Sequence, residues 1–115
     1  MGFRFGHKAT VARPGELAQE ISGAPAVLVE FADADTPMCR LEDPILTKIL
    51  KRYADRLKVV QADVEGSPSD AAAFAVTAVP TFVLFILGVE KFRLVGYQSV
   101  DDLTRALDEA LPPAE

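Results

Sequence analysis

The stretch Val27-Leu-Val-Glu-Phe31 is apolar at every position but Glu30. A run that dense, at strand length, reads as an inner strand covered on both faces, because a half-exposed strand would alternate. An inner strand needs neighbours on either side and other elements packed above and below it, which removes most simple folds from consideration. A short acidic turn follows, and Thr36-Pro37 then opens a helix. Thr36 offers an N-cap hydroxyl, and Pro37 sits where a first helical residue tolerates proline. The only cysteine, Cys39, lies in that first turn. Pro44 interrupts the same helix.

The rest of the chain supplies the neighbours. Ala9 to Ala12 forms a possible first short strand. Pro14 opens a helix with Leu17, Ala18 and Ile21 as its apolar positions, and Ser22-Gly-Ala-Pro25 ends it. The helix begun at Pro37 is expected to run to about Arg56, with Leu46, Ile49, Leu50 and Tyr53 at helical spacing. If it ran straight, Cys39 would project onto that stripe. Leu57 to Val64 reads as a second inner strand, and Asp70 to Phe74 as a two-turn helix. Thr81 to Leu87 is another dense strand. Val89 to Val95 interleaves Glu90, Lys91 and Arg93, as an edge strand does. Ser99 is an N-cap with Asp102 three residues on, ahead of an amphipathic helix through Val100, Leu103, Leu107, Ala110 and Leu111. From Val27 onward the order is β-α-β-α-β-β-α. That is an α/β chain with a central mixed β-sheet flanked by helices on both faces. The domain is expected at residues 9–111, between a loose arm at 1–8 and a tail at 112–115.

Length and charge narrow the function. At 115 residues this is one domain, large enough for a real core. A net charge of −5 with no basic stripe argues against nucleic acid and against anionic membrane surfaces. No apolar run approaches the ~20 residues that span a bilayer. Arg4, His7 and Lys8 have no apolar segment behind them, so no secretory signal is read and the cytoplasm is the expected location. One cysteine allows no internal disulfide. His7 has no companions for a metal site and reads as a spectator, and no cofactor is expected.

Phe31, Thr36-Pro-Met-Cys39, Pro44 and Val79-Pro80-Thr81, taken together, resemble the thioredoxin family. Members carry a strand ending in Phe, then Cys-x-x-Cys at a helix start, then a proline five residues after the second cysteine. Further on they carry a cis-proline before Thr. The resemblance covers roughly residues 10 to 111 and implies the thioredoxin-like fold. One departure matters most: Thr36 stands at the position of the first, attacking cysteine. Ala32 and Asp35 stand where the family usually has tryptophan.

Disulfide exchange needs one thiolate to attack and a second thiol to resolve the mixed disulfide. This chain keeps only the second position, and a threonine hydroxyl stays protonated near neutral pH with no base evident beside it. The cysteine count alone therefore excludes a self-sufficient dithiol cycle. An unperturbed thiol is about 3% thiolate at pH 7. The helix start would favour Cys39 thiolate by less than about one pKa unit, while Asp33, Asp35, Glu42 and Asp43 oppose it. Cys39 is either a small buried hydrophobe or a single reactive thiol that an external thiol donor would resolve. Thr36-x-x-Cys39 also resembles the peroxiredoxin signature, which implies a threonine hydroxyl bonded to a peroxide-attacking thiolate. Ala32 stands where that family expects a proline.

Glu30 occupies the place of the family's buried aspartate, which assists proton transfer at the second cysteine. Here it is either a proton relay to Cys39 or a leftover polar group satisfied by water or a lysine. The usual relay lysine is matched by Gln61. The resemblance also implies a groove for extended polypeptide beside Pro80, framed by Thr36, Pro37, Met38, Val79, Gly96 and Tyr97. Met38 and Tyr97 are suitable peptide contacts; the alternative is that Pro80 only keeps the fold's shape. A protein or peptide partner, held in an adaptor or chaperone-like role, is thus the leading expectation. Single-thiol redox chemistry through Cys39 is the alternative.

Overall fold

Seven consecutive buried residues, Ala26–Ala32, form the centre of a five-stranded sheet. The computed structural model describes residues 9–113, so the arm expected at 1–8, with His7, lies outside the described residues. The elements are β1 (Thr10–Val11), α1 (Leu17–Ile21), β2 (Ala26–Ala32), α2 (Pro37–Leu41), α3 (Asp43–Tyr53), β3 (Lys58–Asp63), α4 (Pro68–Ala73), β4 (Thr81–Ile86), β5 (Val89–Val95) and α5 (Val100–Ala110). The strand order is β1-β3-β2-β4-β5. β1 and β2 flank β3 in parallel, whereas β4 pairs antiparallel with both β2 and β5. The sheet is mixed, as the element order requires.

Side-chain alternation along β2 feeds two cores. Leu28, with Phe82 and Leu84, packs under Leu46, Ile49 and Tyr53 of α3 and Leu103 and Leu107 of α5. Val27, Val29 and Phe31, with Val60 and Val83, pack against Leu17 and Ile21 of α1 on the other face. Ser99 caps α5 as the sequence predicts: its hydroxyl accepts from Asp102 N–H at 3.0 Å, and Asp102 Oδ2 accepts from Ser99 N–H. Tyr53 ties α3 to α5 by donating to Asp108 Oδ1 at 2.7 Å.

Three boundaries differ from the sequence reading. The helix expected from Pro37 to Arg56 is broken into α2, α3 and a 3-10 turn at Ala54–Arg56. Pro44 explains the first break, since it lacks an N–H and its ring crowds the carbonyl of Arg40. α1 starts at Leu17 rather than Pro14, because Gly15 takes a left-handed φ of 82°. α4 starts at Pro68, ahead of the expected Asp70, with proline again at the first helical position.

The β4–β5 hairpin turns on Leu87 and Gly88, both at positive φ, 51° and 79°. Glycine accepts that geometry without cost, whereas an L side chain does not. Leu87 is also 78% exposed. Leu87→Asn should therefore raise stability by about 0.5–1 kcal/mol in urea unfolding. A loss instead would show that the leucine side chain is held by packing against its neighbours.

Candidate functional site

The C-terminal ends of β2 and β3 and the start of β4 meet at one end of the sheet, where α2 begins. Asp35 N–H donates to Asp33 Oδ1 at 2.9 Å, and Arg40 reaches back to the carbonyls of Ala34 and Asp35, closing the β2–α2 turn. Thr36 stands at the N-cap position of α2, but its hydroxyl makes no cap bond. Its carbonyl instead accepts from the N–H of Cys39 at 3.0 Å and of Arg40 at 3.2 Å. The donor that the hydroxyl would have capped is already taken, so the expected side-chain cap does not form.

Cys39 is buried, at 3% exposure. Its Sγ accepts from Asp33 N–H at 3.4 Å. Burial pushes the thiol pKa up, the Asp33 N–H pulls it down, and the charges of Glu30, Asp33 and Glu42 push it up again. Charge and solvation together therefore favour the neutral thiol.

Glu30 lies on the α3 face of β2, fully sealed from water. The β2–β3 register sets it opposite Gln61, whose Nε2 donates to Glu30 Oε1 at 2.9 Å. Glu30 Oε2 and Gln61 Oε1 have no hydrogen-bond partner among the described residues. Burial pushes the Glu30 pKa to about 8; the Gln61 bond opposes this, and Glu42 and Asp43 add to it. Glu30 is thus mostly protonated at neutral pH, and the proton gives the pair another donor for its two partnerless acceptors. Neither water nor lysine is needed to account for its main contact.

Glu42, weighed in the sequence only as one of the acids opposing a Cys39 thiolate, is sealed from water at the α2–α3 junction. It stands three residues after Cys39 and four before Leu46, on the buried side of the helix. Both carboxyl oxygens face Gln98 N–H, at 3.3 and 3.4 Å. Burial is the main cause that raises its pKa to about 7; Gln98 lowers it and Asp43 raises it.

The remaining residues that the resemblance assigned to a groove lie as follows. The Val79–Pro80 peptide bond is cis. Gly96 N–H donates to Pro80 O at 2.8 Å, and Thr81 Oγ1 donates to Ala78 O at 2.7 Å. Arg93 fixes the approach to this turn by donating to the carbonyls of Phe74 and Ala75. Around it, Pro37 is exposed, and Met38 and Tyr97 are 45% and 42% exposed. Leu41, three residues along α2 from Met38, is 58% exposed and was not singled out in the sequence. On the β3 side, one carboxylate oxygen from each of Asp33, Asp35 and Glu65 lies within 4.8 Å of the others. The charge of Asp33 is the main cause that raises the Glu65 pKa. A separate apolar cavity of about 680 Å³, between Pro25, Leu57, Leu87 and Leu111, lies at the opposite end of the sheet. No helix among the described residues is long and apolar enough to cross a membrane.

The arrangement can hold protons, on Glu30 and Glu42, and can present apolar surface beside a proline turn. Burial and nearby acids favour the protonated form of the Cys39 thiol.

Comparison with known proteins agrees with this frame. A thioredoxin from Alicyclobacillus acidocaldarius subsp. acidocaldarius is 32% identical over 93 residues, which are 81% of this chain and 89% of that protein. Mitochondrial thioredoxin 3 from Saccharomyces cerevisiae, in its oxidized form, matches with a TM-score of 0.80 at 27% identity, over 88% of this chain and 94% of that one. A mutant thioredoxin from Halobacterium salinarum NRC-1 shares the fold, with a TM-score of 0.84 at 23% identity over 99% of this chain and all of that one. The family model for thioredoxin matches residues 9–109. The chain belongs to the thioredoxin family.

Proposed function

We propose that this chain is a thioredoxin-family protein without dithiol–disulfide chemistry, which binds extended polypeptide beside Pro80 in an adaptor or chaperone-like role. One contrast carries the reading. The single thiol is sealed and held neutral, while Met38 and Tyr97 around the Pro80 turn are exposed. Exposed apolar side chains gathered beside a structured turn are what a binding surface offers, and methionine and tyrosine adapt to varied partners. An extended segment would lie between α2 and the turns at Val79–Pro80 and Gly96–Tyr97.

The test is fluorescence anisotropy with a labelled, cysteine-free peptide carrying aromatic and aliphatic residues, backed by reduced and alkylated lactalbumin as an unfolded client. Met38→Ala and Tyr97→Ala should each weaken binding by roughly tenfold, about 1.4 kcal/mol, and Cys39→Ser should leave it intact. Absence of binding, or binding insensitive to Met38, Val79 and Tyr97, removes the reading.

The single-thiol alternative draws on one observation, the Asp33 N–H aimed at Cys39 Sγ, which favours a thiolate. It would need an external thiol donor to resolve each turnover.

A further inference from the structure

A helix junction can be filled by any apolar side chain of the right volume. Position 42 instead holds a carboxyl that is sealed from water, faces one backbone N–H, and has no ion pair among the described residues. Such a group is costly unless its polar contact serves something. What it touches is informative. Glu42 N–H donates to Cys39 O at 3.1 Å, and Glu42 O accepts from Leu46 N–H at 2.8 Å, so the residue joins α2 to α3. Its carboxyl accepts from Gln98 N–H, and Gln98 Nε2 donates to Gly96 O at 3.2 Å. Gly96 N–H in turn reaches Pro80 O. One continuous set of bonds therefore runs from α2 through Glu42 to the Gly96–Gln98 segment and on to the Pro80 turn. These are the three walls of the groove.

We propose that Glu42 is a positioning residue of this groove, a proton-controlled brace whose carboxyl sets where the Gly96–Gln98 wall stands against α2. The proposal rests on the groove reading above. The charged or titratable groups that act on Glu42 give its anion no relief: Asp43 follows it in α3, Cys39 lies in α2 and Glu30 in β2. The neutral acid can stay sealed and accept from Gln98. The Gln98 N–H favours the anion, but burial outweighs it, so ionisation favours arrangements in which the Gly96–Gln98 wall stands off the carboxyl and water reaches it. Since Glu42 keeps its proton up to about pH 7, the wall should be seated at pH 6 and loosened at pH 8.

The experiment uses the full chain. The Glu42 side-chain carbonyl and the Gln98 amide are followed by NMR from pH 5 to 9, in wild type and in a Glu30→Gln background that removes the other carboxyl titrating in this range. Peptide affinity is measured at pH 6 and pH 8 with the labelled peptide used above. Both resonances should titrate together near pH 7, and affinity should fall threefold to tenfold between the two pH values. Glu42→Gln, a neutral acceptor of the same shape, should give a Gln98 amide that does not titrate and an affinity independent of pH. A Gln98 amide that ignores the Glu42 titration overturns the brace, as does an equal pH dependence in Glu42→Gln. If Glu42→Gln does not fold, the two wild-type titrations decide. Coupled titration with no peptide bound at any pH would sink the groove reading and leave the brace standing.

Discussion

Glu30→Gln should stabilise the folded chain by on the order of 3 kcal/mol at pH 8, and by about 1 kcal/mol or less at pH 5. The sign follows from where protons are held. Unfolded, Glu30 ionises near its ordinary value of 4.5; folded, it keeps its proton to about pH 8. Between those values the native state binds more protons than the unfolded state, so stability falls as pH rises. Glu42 acts in the same direction over the narrower window up to about pH 7. Glutamine at position 30 removes the ionisation. It also supplies an amide donor where Glu30 Oε2 and Gln61 Oε1 now lack hydrogen-bond partners among the described residues. Urea unfolding of both proteins at pH 5, 6.5 and 8 measures the effect. Parallel curves, with no pH-dependent gap, would mean that Glu30 is ionised and satisfied in the native state.

Cys39 should react with iodoacetamide at least ~100-fold more slowly in the native protein than in urea at pH 8, because reaction waits for local opening. Burial does most of this, and the acids do the rest. Only the Asp33 N–H favours the thiolate, against Glu30, Asp33 and Glu42. Labelling rate against pH separates the two functional readings. A native rate that rises only above the ordinary thiol range places Cys39 in the core and directs attention to the groove. Fast native labelling with a midpoint below pH 7 would overturn the neutral thiol and put single-thiol chemistry first.

Most of the framework was legible because it depends on local pattern. The density of Val27–Phe31 and Thr81–Leu87 marks inner strands, and Ser99 with Asp102 marks a helix start, whatever the rest of the chain does. The pairing of Glu30 with Gln61 was not read: the resemblance only matched Gln61 to the relay lysine, and it takes the β2–β3 register to set the two opposite each other. Glu42 was legible but passed over: three residues after Cys39 and four before Leu46, it falls on the same helical stripe, yet in sequence it was weighed only as one more acid beside Asp43. The Thr36 hydroxyl failed as a cap for a local reason: a short first turn lets the threonine carbonyl claim the N–H of Cys39. Leu41 escaped notice because the reading followed the buried stripe, and Leu41 lies on the opposite side of the helix from it.

The two core clusters draw none of their buried members from Thr36, Pro37 or Met38. Those positions hang on the end of β2 and can change while the interior keeps every contact that folds the chain. A substitution at any of the three alters what the end of β2 presents to a partner without removing a member of either core.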